Sequence, residues 1–231
     1  MKIAVVYCLH GDEKYGEKVA LNLPPSIDKI IGNPEAFSKN KRFIETDLNR
    51  CFPGNPAGTY EERRASELKE MLEKYDIVID LHSTSNVCPL FGIITSPNAE
   101  KIALAKRLGL NKLVIMPEIF AKGKALIDHV KGGISLEIGP HDEKSNIDEV
   151  LDSFHHLINN EQSKGCEIFE VVNIIKKEAS NSSIFNFQEV KKGQLIAEDA
   201  LLRQYADHDF TAILVDEKAY KDILCFSCKK L

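Results

Sequence analysis

The chain has 231 residues, of which 43% are apolar and 28% charged, and its 30 Lys plus Arg against 35 Asp plus Glu give a net charge of -5. At about 150 residues per domain this predicts one large domain, or one domain with a small companion. The composition excludes a disordered chain, the acidic balance argues against a binder of phosphate backbones, and no apolar run approaches the ~20 residues of a membrane span.

Lys2 to Leu9 is a short β-branched apolar run that ends at His10-Gly11-Asp12-Glu13, which predicts a buried strand and a polar turn. The run is too short for a cleavable leader, so the expected location is the cytoplasm. There the six scattered cysteines (Cys8, Cys51, Cys88, Cys166, Cys225 and Cys228) are expected to form no disulfide framework. Tyr15 to Leu23 reads as a helix stopped by Pro24-Pro25, and Ser26 to Lys41 as irregular chain with Gly32, Asn33 and Pro34 as breakers. Cys51 to Gly58 reads as loop. Glu61 to Lys74 reads as a helix, acidic in its first turn, with Leu68, Met71 and Leu72 on one face.

Asp76 to Asp80 and Phe91 to Thr95 are further short strands, and Ser96-Pro97 is expected to start a helix that runs to Leu108 and ends at Gly109. Leu113 to Met116 and Gly133 to Ile138 read as strands, and Ser145 to Asn159 as a helix. Strands alternating with helices predict an α/β domain over residues 1–165. From Cys166 onward the pattern changes to strands at Phe169 to Ile175, Gln194 to Ala197 and Thr211 to Val215, with Lys191-Lys192-Gly193-Gln194 as a hairpin turn. This predicts a small β-rich domain over residues 166–231.

Four strand ends carry polar residues that do not belong in a core. His10 and Glu13, three apart on a turn, could face one metal ion, although an H-x-x-E pair often arises in a solvated turn. His82 ends an apolar strand, at the sheet edge where open α/β folds bind ligands. It would complete a two-His, one-carboxylate set, with Asp80 as a partner for its imidazole N–H. Alone, it equally suits a satisfied histidine. Arg42, Asn49 and Arg50 fall in one loop, and arginine grips carboxylates through a planar fork; a basic surface loop has the same composition. Glu137 stands inside an apolar strand, where a carboxylate is costly unless paired or functional, so it is expected to face a polar cavity or a structural ion pair.

Taken together and in this order, H-G-x-E, D-L-N-R-x-F-P-G, D-L-H-x-T and E-I-G-P resemble the aspartoacylase and succinylglutamate desuccinylase family, relatives of the zinc carboxypeptidases. Gly32 to Ala36, Tyr60 to Ala65 and Ser83 to Asn86 add to the likeness, and Val215-Asp216-Glu217-Lys218-Ala219-Tyr220 resembles a late segment of that family. The resemblance implies an α/β fold of zinc-carboxypeptidase type: a mixed sheet flanked by helices, with a small β-rich C-terminal domain. It implies one Zn2+ per chain on His10, Glu13 and His82, with Glu137 as catalytic glutamate. Arg42 would polarise the scissile carbonyl, Asn49 and Arg50 would hold a substrate carboxylate, and Tyr220 would be lent to the pocket by the second domain.

The implied activity is hydrolysis of the linear amide of a small anionic N-acyl amino acid by a metal-activated water, with Glu137 taking the proton and passing it to the amine. Two alternatives stand beside it. One is a carboxypeptidase acting on a peptide-like conjugate, and the other a binding module without catalysis. No nucleic acid or membrane partner is expected, and a homo-oligomer is left open. One departure concerns the substrate. Members of the family that act on aspartate derivatives carry a further arginine about ten residues before the catalytic glutamate, where this chain reads Ala125-Leu126-Ile127-Asp128-His129, with Lys124 and Lys131 as neighbouring cations. His155-His156 suits a solvated helix face, His129 and His141 suit loops, and Cys225-x-x-Cys228 suits packing better than a zinc site.

Overall fold

The structure, a computed structural model, describes residues 1–121, 123–141, 147–161 and 165–231. In chain order the first part contains β1 (Ile3–Tyr7), α1 (Tyr15–Asn22), β2 (Asp28–Ile31), α2 (Pro34–Ser38), α3 (Tyr60–Leu72), β3 (Ile77–Thr84), β4 (Phe91–Ile94), α4 (Ala99–Arg107), β5 (Lys112–Ile115), α5 (Glu118–Ala121), β6 (Gly133–Pro140) and α6 (Ile147–Asn159). Seven strands follow: β7 (Glu167–Lys176), β8 (Asn181–Ser182), β9 (Glu189–Val190), β10 (Leu195–Glu198), β11 (Arg203–Tyr205), β12 (Phe210–Ile213) and β13 (Ile223–Lys230). Ten strands form one mixed sheet in the order β2-β1-β3-β6-β4-β5-β7-β13-β12-β9, and β11-β10-β8 form a second, smaller sheet. The large sheet therefore continues past residue 165, through the parallel pairing of β5 with β7.

Side chains alternate across a strand, and the alternation decides which residues reach the site. Val5, Ile79, Leu81, Leu136 and Ile138 pack on one face, against Tyr15 and Val19 of α1, Leu104 of α4, and Phe154 and Leu157 of α6. Ala4, Val6 and Val78 pack on the other face, against Ala65, Leu68 and Leu72 of α3. Asp80 and His82 lie in the phase of Val78, and Ser135 and Glu137 in the phase opposite Leu136 and Ile138. β1, β3 and β6 run parallel, with Val6 beside Asp80 and His82 beside Glu137. Their carboxyl ends thus deliver these polar residues to one edge.

Several expected elements shift. Residues 28–31 and 34–38, read as irregular, form β2 and α2. β2 exists because it pairs in parallel with β1. α2 has Asn33 as its cap, accepting the Ala36 N–H at 3.1 Å, and Pro34 at its first position. α3 starts at Tyr60 behind a Thr59–Glu62 capping box. Ala65, not Met71, completes its apolar face, since Met71 is 42% exposed. α4 starts at Ala99, where the Asn98 side chain accepts the Lys101 N–H at 2.8 Å, and not at Ser96-Pro97. α6 is described from Ile147; positions 145 and 146 of the expected helix lie outside the described residues. Lys191 to Gln194 does turn, closed by Gln194 N–H on the Lys191 carbonyl at 2.9 Å, but it joins strands of different sheets and is not a hairpin. All six cysteines are free thiols, and Cys225 and Cys228 pack into different apolar clusters. No helix among the described residues is long and apolar enough to cross a membrane.

Candidate active site

At the end of β1 the chain turns through Cys8, a left-handed residue at φ 51°, and the turn presents His10 and Glu13. Gly11 is required there, because a Cβ at that position would lie 2.2 Å from the Ala36 carbonyl carbon. Glu13 is buried and central. Its Oε1 lies 2.7 Å from His10 Nδ1 and 3.2 Å from Arg42 Nη1, and its Oε2 lies 3.1 Å from His82 Nδ1 and accepts the Ser83 N–H at 3.1 Å. Both imidazoles are held from behind by carboxylates: His10 Nε2 lies 3.0 Å from Asp47 Oδ1, and His82 Nε2 lies 2.7 Å from Asp80 Oδ2. Placing each ring proton on Nε2, where a carboxylate accepts it, turns both Nδ1 lone pairs toward Glu13.

One ligand atom from each of His10, Glu13 and His82 lies within 4.8 Å of the other two, and the Glu13 oxygens lie 2.7 Å from His10 Nδ1 and 3.1 Å from His82 Nδ1. A tetrahedral Zn2+ with bonds of ~2.0–2.2 Å needs its ligand atoms about 3.3 Å apart. Two neutral imidazoles and one carboxylate, each with its outer partner in place, therefore fit such an ion and leave a position for water. Burial raises the cost of charge on Glu13, yet the adjacent His10 and His82 hold its carboxyl well below the usual range. Burial likewise opposes protonation of His82, but Asp80 and Glu13 raise it well above an ordinary histidine. Asp47, desolvated yet bonded to His10 and facing Arg42, is held below the usual carboxylate range.

Glu137 sits next to His82 across β3 and β6 and is 9% exposed. Burial pushes its carboxyl up to about 8, against the pull of His82 and with the push of Glu13 and Glu217. A carboxylate with a pKa near neutrality is suited to exchanging a proton during turnover. Arg42 spans Glu13 and Asp47, with Nη2 3.3 Å from Asp47 Oδ2. Asn49 accepts the Leu126 N–H at 2.9 Å, and its Nδ2 lies 3.3 Å from His82 Nε2. Arg50 donates to the Asn49 carbonyl at 2.7 Å.

One cavity is lined by His10, Glu13, Arg42, Asn49, Arg50, His82, Glu137 and Tyr220, so all eight residues singled out in the sequence converge. Other functional neighbours lie within the quoted motifs without a role assigned to them there. Asp47, 37 positions from His10, orients it. Glu61, fully buried, accepts the N–H groups of Ile44 (2.6 Å), Glu45 (3.1 Å) and Thr46 (3.2 Å) and the Asn33 amide (3.1 Å), and so anchors the loop that carries Asp47. Glu217 enters the same cavity, its Oε2 accepting the Ser85 N–H at 2.7 Å and its Oε1 buried with no hydrogen-bond partner among the described residues. Its position within Val215 to Tyr220 is a hint, as are those of Asp47 in D-L-N-R and Glu61 within Tyr60 to Ala65. The Ser85–Glu217 bond, with Asn86 donating to the carbonyls of Val215 and Asp216 at 3.0 Å, fastens the Tyr220 segment over the site. His129 and His141 stay outside the cavity lining, although His141 Nδ1 lies 2.7 Å from Ser83 Oγ.

Comparison with known proteins places the chain in a family. The family model for the succinylglutamate desuccinylase/aspartoacylase catalytic domain matches residues 2–148. A probable aspartoacylase of Nostoc sp. is 33% identical over 161 residues, 60% of this chain and 55% of that protein. The human N-acyl-aromatic-L-amino acid amidohydrolase (carboxylate-forming) is 27% identical over 169 residues, 60% of this chain and 53% of that protein. These matches span about half the length of the curated relatives. Among solved structures, murine aminoacylase 3 superposes with a TM-score of 0.81 at 20% identity, over 100% of this chain and 95% of that one. A succinylglutamate desuccinylase/aspartoacylase from Rhodobacter sphaeroides gives 0.79 at 16% identity, over 100% and 86%; both likenesses concern the fold. On the family match across its first two thirds, the chain belongs to the succinylglutamate desuccinylase/aspartoacylase family.

Proposed function

We propose that this protein is a zinc-dependent amidohydrolase that removes the acyl group from a small anionic N-acyl amino acid. The observation that carries the proposal is the convergence of His10, His82 and Glu13 beside the buried Glu137, in a cavity that also holds two arginines. The curated relatives named above, as aspartoacylases and N-acyl amino acid amidohydrolases, support the same reaction class. His10, Glu13 and His82 would hold one Zn2+ per chain, which supplies a water acidified toward neutral pH and an electrophile for the carbonyl oxygen. Glu137 accepts the proton of the attacking water on its carboxylate and returns it to the departing amine nitrogen. Arg42, braced by Glu13 and Asp47, faces the charge that develops on the carbonyl oxygen. Arg50, with Asn49 shaping the loop beside it, grips the substrate carboxylate and fixes the amide in place.

In this proposal residues 1–165 form the catalytic domain, and residues 166–231 form a smaller β-rich domain that contributes Tyr220 to the pocket. The protein works in the cytoplasm. The test is elemental analysis of the purified protein, together with assays on N-acyl amino acids and dipeptides. One zinc per chain is expected, lost from His10→Ala and His82→Ala proteins that keep their far-UV spectrum, along with release of free amino acid from N-acyl substrates. Full zinc occupancy in both variants would remove these residues from the ligand set. Cleavage of dipeptides alone would assign a carboxypeptidase instead.

A further inference from the structure

The lining of the cavity also has an apolar part, interrupted by Thr95 and Ser135. Ile93, Met116, Ala125, Ile127 and Leu214 form this apolar wall, and all but Met116 are buried. Ile127 lies ten residues before Glu137, and it enters the cavity from a 3-10 turn (Leu126–Asp128) that is pinned in place. The Leu126 N–H is held by Asn49 Oδ1 at 2.9 Å and the Ala125 N–H by Asp128 Oδ2 at 3.0 Å. Lys124 and Lys131, the cations flanking this segment, are both exposed and neither lines the cavity.

Among the described residues, the cations in the lining are Arg42 and Arg50. Arg42 is already paired with Glu13 and Asp47. Arg50 has no ion pair among the described residues and donates to a backbone carbonyl, so its charge is available. Three carboxylates, Glu13, Glu137 and Glu217, share the cavity. Asp128, outside the lining, accepts the hydroxyl of Thr95, so that lining hydroxyl is already engaged.

We infer that the cavity takes substrates with a single carboxylate, held by Arg50, and a neutral apolar group against Ile93, Met116, Ile127 and Leu214. The inference rests on the N-acyl amino acid hydrolase proposed above and adds the substrate class. An apolar group gains from leaving water on that wall. A second carboxylate would lose its hydration, meet no unpaired cation among the described residues and stand near like charges.

The test compares N-acetylleucine with N-acetylaspartate and N-succinylleucine, which place a second carboxylate on one side or the other of the amide. Rates are measured with the wild-type protein, and equilibrium binding of the same compounds with the Glu137→Gln protein. The expected result is a kcat/KM for N-acetylleucine at least about 100-fold above either dicarboxylate, with the same order in binding. Equal or better turnover or binding of either dicarboxylate overturns the inference. If nothing is hydrolysed but N-acetylleucine still binds more tightly, the apolar wall stands and the proposed hydrolase falls. Met116→Lys places a cation on the half-buried part of the wall and is expected to narrow the preference about tenfold or more. A folded Met116→Lys protein with unchanged preference would overturn the wall's role, and the wild-type comparison decides the matter if that variant does not fold.

Discussion

Replacing Glu137 by Gln should stabilise the metal-free protein, increasingly so as the pH rises. The Glu137 carboxyl titrates at about 8 in the fold, against 4.5 when exposed, because burial disfavours its charged form. The native state therefore holds a proton that the unfolded chain releases more readily. Below pH 4.5 both states are protonated there and the residue costs nothing. Between pH 4.5 and 8 the unfolded state gains from ionising while the native state does not, so stability falls with rising pH, and above pH 8 the loss is complete. At about 1.36 kcal/mol per pH unit, the cost is about 3 kcal/mol at pH 7 and about 5 kcal/mol above pH 8.

Gln fills nearly the same space and carries no charge, so the variant escapes this cost. With a urea dependence of ~3 kcal/mol per molar for a chain of this size, the variant's midpoint should lie about 1 M higher at pH 7. The assay is urea unfolding of chelator-treated wild-type and Glu137→Gln proteins at pH 5, 7 and 9. A gap that stays constant across that range, or a wild type that is the more stable at pH 9, would refute the reasoning. The same substitution should lower turnover by about 10²–10⁴-fold, since the amide cannot accept the proton. The expected trade of stability for activity is what a buried proton carrier imposes.

The two arginines should separate kinetically. Arg42→Ala is expected to lower kcat and kcat/KM together by about 2.7–4 kcal/mol of transition-state stabilisation, and Arg50→Ala to raise KM with little change in kcat; exchanged signatures in steady-state assays would reverse the roles proposed for them. Arg50→Lys should restore binding only in part, because an ammonium lacks the bidentate fork. Glu61→Gln should cost about 1–3 kcal/mol in unfolding, because its new NH2 group must face backbone N–H donors where a carboxylate oxygen now accepts two. It should also weaken zinc by about 10-fold or more in metal titrations by loosening Asp47 behind His10. Unchanged unfolding and unchanged metal affinity would detach Glu61 from the site.

Much of this protein is written in local pattern. The apolar runs of β1, β3 and β6 and the 3.6-residue stripe of α3 are short-range signals, so their existence and type could be read directly. His10, Glu13, His82, Arg42, Arg50 and Glu137 stood out because each is a polar residue where the pattern calls for an apolar strand or a bland turn, and their order along the chain matched one family. Contacts between distant segments decided the rest. β2 forms because β1 offers it an edge, and β7, β13, β12 and β9 extend the first sheet because β5 offers β7 an edge. Asp47 becomes the partner of His10, Glu61 the anchor of that loop, and Glu217 a neighbour of Glu137 only once chain segments 15 to 132 residues apart are packed together. The apolar wall around Ile127 belongs to the same class. The sequence shows which arginine is missing, but the substrate meets whatever the fold puts in its place, and that depends on which side chains a closed sheet edge brings within a few ångströms of one another.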